Sequence, residues 1–173
     1  MSSVNQYVLA TDLGGTNIRV ALVDQLGNVS YKQSTETLAD SPISDVTNRW
    51  IDVLKHVMQS VDTKAVIGLG IAFASPLDYQ GVVYSPPHLS NWDGFSPKSI
   101  LEQNFSMDVT IGNDGSLAAF GEYIYGAGRG SKNMVLLTIG TGIGGGIVMN
   151  EELYVGHRGF AGEIGHIVID RNG

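Results

Sequence analysis

The sequence predicts an α/β fold, and three observations carry that expectation. Strand-like segments come first as closely spaced hairpins. They then alternate with helical segments, and near Gly140 a fresh strand–glycine turn–strand pattern begins. The order reads as three hairpin strands, helix, strand, helix, strand, helix and a glycine-hinged hairpin. That order suits one complete α/β layer with an antiparallel edge, followed by the opening of a second, similar unit.

Tyr7 to Thr11 reads as a short buried strand and Asp12-Leu13-Gly14-Gly15-Thr16 as a turn. Asn17 to Asp24 alternates Ile18, Val20 and Leu22 against Arg19, Ala21 and Val23, the period of a strand. Gln25 to Asn28 is a turn and Val29 to Thr35 a third strand. Ser41 as N-cap and Pro42 at the first helical position open a helix. Its apolar residues Val46, Trp50, Val53, Leu54, Val57 and Met58 recur at three- and four-residue steps through Ser60. Ala65 to Ala74 is a continuous apolar run, as for a strand covered on both faces. Proline-rich loop follows from Ser75 to Trp92, with a small hairpin expected at Val82 to Tyr84. Pro97 to Asn104 is a short helix, Asp108 to Ile111 a strand, and Gly115 to Tyr125 a helix capped by Asn113 or Asp114 and ended by Gly126 to Gly130. Met134 to Ile139 is another buried strand, Gly140 to Gly146 a glycine turn, and Ile147 to Asn150 a strand. A helical turn over Ala161 to Gly165 and a final strand over Ile167 to Asp170 close the chain.

Composition bounds the function. Apolar residues are 43% and charged residues 16% of 173, which excludes a disordered chain. The formal net charge of −7 gives no hint of nucleic-acid binding or of docking to anionic membranes. With no cysteine there is neither a disulfide framework nor a thiolate metal site in these residues. The N-terminus lacks the marks of a signal peptide and no run matches a membrane span, so the expectation is a soluble, cytoplasmic protein.

The 23 glycines are clustered. In Asp12 to Thr16, glycines would let backbone N–H groups approach an anion, Thr16 would add a hydroxyl, and Asp12 could hold hydrated Mg²⁺. The alternative is a tight hairpin whose glycines supply positive φ. Gly140 to Gly146 carries five glycines in seven residues. It is neither a Walker loop nor a dinucleotide fingerprint, since a strand follows it. Two such turns suggest two clamps on one polyphosphate. Asn113-Asp114 is either a helix cap or a carboxylate base with a hydrogen-bonding neighbour. Glu163 and His166, three apart, share a face in a helical turn and suit vicinal hydroxyls, or form a surface turn with a satisfied histidine. His56, His88 and His157 read as solvated.

Taken in order, DLGGTN, ND opening a helix, GAGRGSKNMVLLTIGTGIGGGIV and GFAGEIGH resemble the ROK family of sugar kinases and repressors. That resemblance implies a ribonuclease-H-like domain of the actin-like ATPase superfamily over residues 1–112. It implies the interdomain helix and incomplete start of a second such domain over 113–173. It implies ATP-dependent phosphorylation of a hexose at its 6-hydroxyl, most simply glucokinase activity, with a sugar-sensing repressor domain as the alternative. Asp12, Gly14, Gly15, Thr16, Asn17, Thr141, Gly142 and Gly144 would contact ATP and Mg²⁺. Asp114 would be the catalytic base, and Asn113, Asp114, Glu163 and His166 would hold the sugar. In zinc-bearing members the residue matching His166 ligates Zn²⁺ with a cysteine motif just downstream. The family usually has glycine where Ser75 stands and asparagine at His88. The resemblance further implies a fragment, inactive alone, of a protein that forms a homo-oligomer, a dimer, when whole.

Overall fold

The computed structural model describes residues 5–140 and 142–171. They divide into two compact units, Met1–Gly112 and Asn113–Gly173.

The first unit is built on a five-stranded sheet: β1 (Tyr7–Leu13), β2 (Asn17–Asp24), β3 (Val29–Glu36), β4 (Val66–Phe73) and β5 (Val109–Asn113), in the order β3-β2-β1-β4-β5. β1 to β3 form an antiparallel meander, and β4 lies parallel to β1. The parallel pair is joined through α1 (Ile43–Met58), as a crossover requires. Alternation decides which face is buried. Leu9 and Leu13, Ile18, Val20 and Leu22, and Leu69, Ile71 and Phe73 all point into one core. Val46, Trp50, Leu54 and Val57 of α1 recur at helical spacing and fill the same core. The loop after β4 adds Trp92, whose ring lies 6.3 Å from Trp50 and 5.5 Å from Phe73. Trp50 Nε1 donates to the buried Thr11 hydroxyl at 2.9 Å, so α1 is fastened to the middle of β1. α2 (Pro97–Asn104) begins where expected, with Ser96 accepting from the Ser99 amide.

The second unit holds α3 (Asp114–Tyr125) and an antiparallel sheet of β6 (Met134–Ile139), β7 (Ile143–Met149) and β8 (Glu152–Leu153). Its strand order, β6-β7-β8, repeats the β1-β2-β3 meander, again with a glycine turn between the first two strands.

Several expectations are corrected. The first helix is capped by Pro42, which offers no side-chain acceptor, and not by Ser41; the prolyl ψ of 143° keeps that residue outside the helix. β4 is fully covered on one face only: Leu69, Ile71 and Phe73 are buried, and Ile67 is 51% exposed where the register against β1 shifts between Val66 and Gly68. Its other face carries Gly68, Gly70 and Ala72, which read as apolar letters but bring little surface to bury. The hairpin expected over Val82 to Tyr84 is reduced to a single bridge, Leu77 to Val83. The glycine turn is shorter than expected, because Gly144, Gly145 and Gly146 lie inside β7. The turn over Ala161 to Gly165 becomes a 3-10 turn at Ile164–His166. No strand forms over 167–170: Ile167, Val168 and Ile169 are exposed, and no ladder partner exists for them among the described residues. The short strand β8 had no signal in its own sequence. It exists because Asn150 and Glu151 take positive φ and turn the chain back on β7.

Candidate functional site

The first cluster lies where β1 turns into β2. Asp12 and Leu13 belong to β1, Gly14 to Thr16 make the turn, and Asn17 starts β2. The Gly14 N–H donates to the Asn17 carbonyl at 3.0 Å and closes it. Neither Gly14 nor Gly15 has positive φ, so the hairpin explanation of these glycines fails. Gly15 is required for another reason. A Cβ there would sit 2.6 Å from the Cβ of His88, so the Pro86-Pro87-His88 loop closes directly on the turn. His88 is solvent-exposed, as expected, yet its backbone side packs on Gly15. Thr16 is exposed and Asn17 half-buried. Asp12 stands opposite Arg19 in the β1–β2 register, and Arg19 Nη1 donates to Asp12 Oδ2 at 2.8 Å. The buried Thr37, which no motif pointed to, holds the turn from below. Its hydroxyl donates to the Gly14 carbonyl at 2.6 Å and its N–H to the Thr16 carbonyl at 2.9 Å.

The second cluster lies at the head of α3. Asn113 is the N-cap, accepting from the Ser116 amide at 3.0 Å. Asp114 is exposed, and its Oδ1 accepts from the Gly115 amide at 2.8 Å. One carboxylate oxygen is thereby oriented by the helix N-terminus. Glu163 and His166 flank the 3-10 turn, with His166 Nε2 3.8 Å from Glu163 Oε2. Partial burial pushes the Glu163 carboxyl above the ordinary glutamate range; nearby Asp114 adds to the rise and His166 opposes it. Asp114 and His166 thus both act electrostatically on Glu163, although 48 residues lie between Asp114 and Glu163 in sequence.

Glycines make that proximity possible. A Cβ on Gly115 would meet the Gly145 carbonyl at 2.8 Å. On Gly146 it would meet the Ala119 Cβ at 2.5 Å and the Gly115 carbonyl at 2.8 Å. On Gly162, which has φ +94°, it would meet the Gly145 carbonyl at 2.9 Å. A Cβ on Gly165 would collide with the Ile143 carbonyl. Backbone therefore packs on backbone where α3, β7 and the 162–165 segment meet. Gly144, expected to contact phosphate, stands in β7 opposite Thr138, whose hydroxyl would lie 2.7 Å from an added Cβ. At the turn itself, Gly140 N–H donates to the Gly142 carbonyl at 2.9 Å, and an added Cβ on either glycine meets nothing within 4 Å. Thr141 lies outside the described residues.

The described residues by themselves do not make a zinc site. Among the described residues no three His, Cys, Asp or Glu side chains gather to hold a metal, and His166 has only Glu163 beside it where structural zinc takes four ligands. Magnesium asks less, since it commonly takes one or two carboxylates and completes its shell with phosphate and water. Asp12 meets that demand once its exposed ion pair with Arg19 opens. Among the described residues no helix is long and apolar enough to cross a membrane.

Comparison with known proteins places these clusters in context. The model of the ROK family matches residues 8–173. A glucokinase of Halalkalibacterium halodurans is 34% identical over 168 residues, covering 95% of this chain and 51% of its own. A xylose repressor of Bacillus spizizenii is 33% identical over 171 residues, covering 96% of this chain and 44% of its own. The crystal structure of a ROK glucokinase from Streptomyces griseus with glucose and AMPPNP superposes with a TM-score of 0.86 at 30% identity, over 96% of this chain and 52% of that one. The mixed α/β architecture, with its five-stranded sheet, is that of ROK kinases of the actin-like ATPase fold. The chain spans about half the length of the curated relatives it matches.

Proposed function

The chain belongs to the ROK family, and from that premise we propose that it forms the nucleotide- and sugar-binding half of an ATP-dependent hexose kinase, a glucokinase. The observation that carries this reading is the pairing of Glu163 with His166 at 3.8 Å on a segment whose Gly162 packs on Gly145, the same residue that Gly115, next to Asp114, packs on. A carboxylate beside a glutamate and an imidazole offers one group to take a proton and two to bind neighbouring hydroxyls.

In this mechanism the hexose binds at that cluster. Glu163 and His166 hold vicinal hydroxyls, and the carboxamide of Asn113 meets another. Asp114 accepts the proton of the 6-hydroxyl as its oxygen bonds to the γ-phosphorus of ATP. The bond from the γ-phosphorus to the β,γ-bridging oxygen breaks, and ADP departs with that electron pair. Such a transition state is loose, so the chain contributes mainly position and charge compensation. Amides of the Gly14–Thr16 turn, the Thr16 hydroxyl and the turn at Gly142 donate to phosphate oxygens. Magnesium bound with the nucleotide would neutralise phosphate charge, and Asp12 would hold it. The protein works as a soluble cytoplasmic enzyme and assembles as a dimer.

The similarity to xylose repressors supports a second reading, a sugar-sensing domain without catalysis. A coupled assay for ADP release by the full-length protein, with and without glucose, separates the two. Glucose-stimulated release supports the kinase. Glucose binding without release supports the sensor. Release that ignores sugar removes both.

A further inference from the structure

Thr37 follows β3 and is fully buried although polar. Every hydrogen-bonding group it owns is engaged. Its hydroxyl donates to the Gly14 carbonyl at 2.6 Å, its N–H donates to the Thr16 carbonyl at 2.9 Å, and its own carbonyl accepts from Arg49 Nη1 at 2.8 Å. Arg49 and the neighbouring Trp50 both lie on α1, and Trp50 reaches Thr11 of β1. The turn is therefore tied through one side chain to the helix that closes the core.

The consequence follows from peptide geometry. In a trans peptide the C=O and the next residue's N–H point in opposite directions. The carbonyl of Gly14 shares its peptide plane with the N–H of Gly15. Holding that carbonyl against the buried Thr37 hydroxyl turns the Gly15 N–H away from the core. Among the described residues the Gly15 and Thr16 amides donate to no protein acceptor. Nearly all buried amides are paired, and these two are left at a half-buried glycine and an exposed threonine.

We infer that Thr37 is a positioning residue for phosphate: by fixing the Gly14 carbonyl inward, it aims the Gly15 N–H at the anionic tail of a nucleoside triphosphate. This rests on the kinase reading above for the identity of the ligand, but the clamp itself does not. Thr37 touches no substrate, and its effect passes through the turn.

The test compares Thr37→Val, which keeps shape and removes the hydroxyl, with Thr37→Ser, which keeps the hydroxyl. Amide exchange followed by NMR reads the clamp without ligand. The Gly14 amide, bonded to the Asn17 carbonyl, is expected to lose about tenfold in protection in Thr37→Val and to keep it in Thr37→Ser, since one buried hydrogen bond is at stake. Calorimetric titration with magnesium AMPPNP and with glucose reads the role. Thr37→Val is expected to weaken AMPPNP about tenfold and to leave glucose unchanged, with Thr37→Ser near the parent. A merely structural threonine would move both ligands together, or track melting temperature. If Thr37→Val does not fold, Arg49→Met removes the outer hydrogen bond at a half-buried side chain and is expected to give the same pattern at about threefold. Unchanged AMPPNP affinity in a folded variant lacking the hydroxyl or the guanidinium overturns the inference. A full-length parent protein that binds no nucleotide overturns the kinase reading and with it the phosphate role, while the exchange data still decide whether the clamp exists.

Discussion

Adding one methyl group at Gly146 tests how the proposed sugar cluster is assembled. In Gly146→Ala the new Cβ would lie 2.5 Å from the Ala119 Cβ and 2.8 Å from both the Gly115 carbonyl and the Ser116 Cα. Carbon atoms in good contact sit about 3.5–4.0 Å apart, so the shortfall is about 1 Å. Two of the three opposing atoms are backbone, so no rotamer change relieves it. The first turn of α3 must retreat from β7. Overpacking of this kind costs about 1–3 kcal/mol. The same retreat carries Asn113 and Asp114 with it, and a 1 Å misplacement of reacting groups can cost about a hundredfold in rate. The expected result is a folded protein with a lower urea midpoint and, in the full-length protein, glucose-dependent ADP release down by one to two orders of magnitude. Adding Ala119→Gly removes the 2.5 Å contact but neither backbone contact, so recovery should be partial. Parent-like stability and turnover in Gly146→Ala would refute the claim that backbone packing places Asp114 beside Glu163.

Further outcomes follow from the same geometry. Gly121→Ala lies in the same helix with nothing within 4 Å of its new Cβ, so thermal melts should show a gain of about 0.5–1 kcal/mol, opposite in sign to Gly146→Ala. Asp114→Asn should lower kcat about 10²–10⁴-fold while calorimetry shows AMPPNP binding intact. Arg19→Met breaks an exposed pair, so urea unfolding should change by less than about 1 kcal/mol, while the magnesium requirement for nucleotide binding should ease because Asp12 is released. For Glu163, whose carboxyl is raised chiefly by burial, the neutral form is favoured in the folded protein. Its stabilising contribution is complete below the ordinary glutamate range and is lost as pH rises through the raised value. Glu163→Gln should therefore gain on the parent in urea midpoint between about pH 4 and pH 7; a constant difference would contradict the burial of that carboxyl.

Strong period signals in the sequence identified the regular elements well. Asn17–Asp24 and Pro97–Asn104 match their expected bounds because strict alternation or a Ser-Pro start marks them locally; Met134–Ile139 matches in its bounds through its apolar run but not in its burial, since Val135, Leu137 and Ile139 are exposed. The failures share one cause. The number of covered faces on β4, the absent strand at 167–170 and the existence of β8 all depend on what lies beside a segment, which a local pattern does not encode. The site divides the same way. Asn113, Asp114, Glu163 and His166 are visible as residue types in a distinctive order. Thr37 is not, because its role comes from a single buried hydroxyl meeting a carbonyl 23 residues away.

The two glycine-rich turns show why such motifs must be read position by position. Both sit between antiparallel strands, and both resemble phosphate loops in their letters. Gly15 is required by the loop at His88, and Gly145 and Gly146 by the close approach of β7 to α3 and the 162–165 segment. Gly14, Gly140 and Gly142 face no such crowding: an added Cβ meets its nearest neighbour at 3.7 Å at Gly14 and nothing within 4 Å at the other two. If glycine at those three positions serves ligand approach, alanine there should spare stability and weaken nucleotide binding. Alanine at Gly145 or Gly146 should do the reverse, lowering stability and sugar turnover first. One alanine scan with two readouts therefore separates the glycines that build the fold from those that meet phosphate, and a scan in which both readouts fall together at every position would remove the distinction.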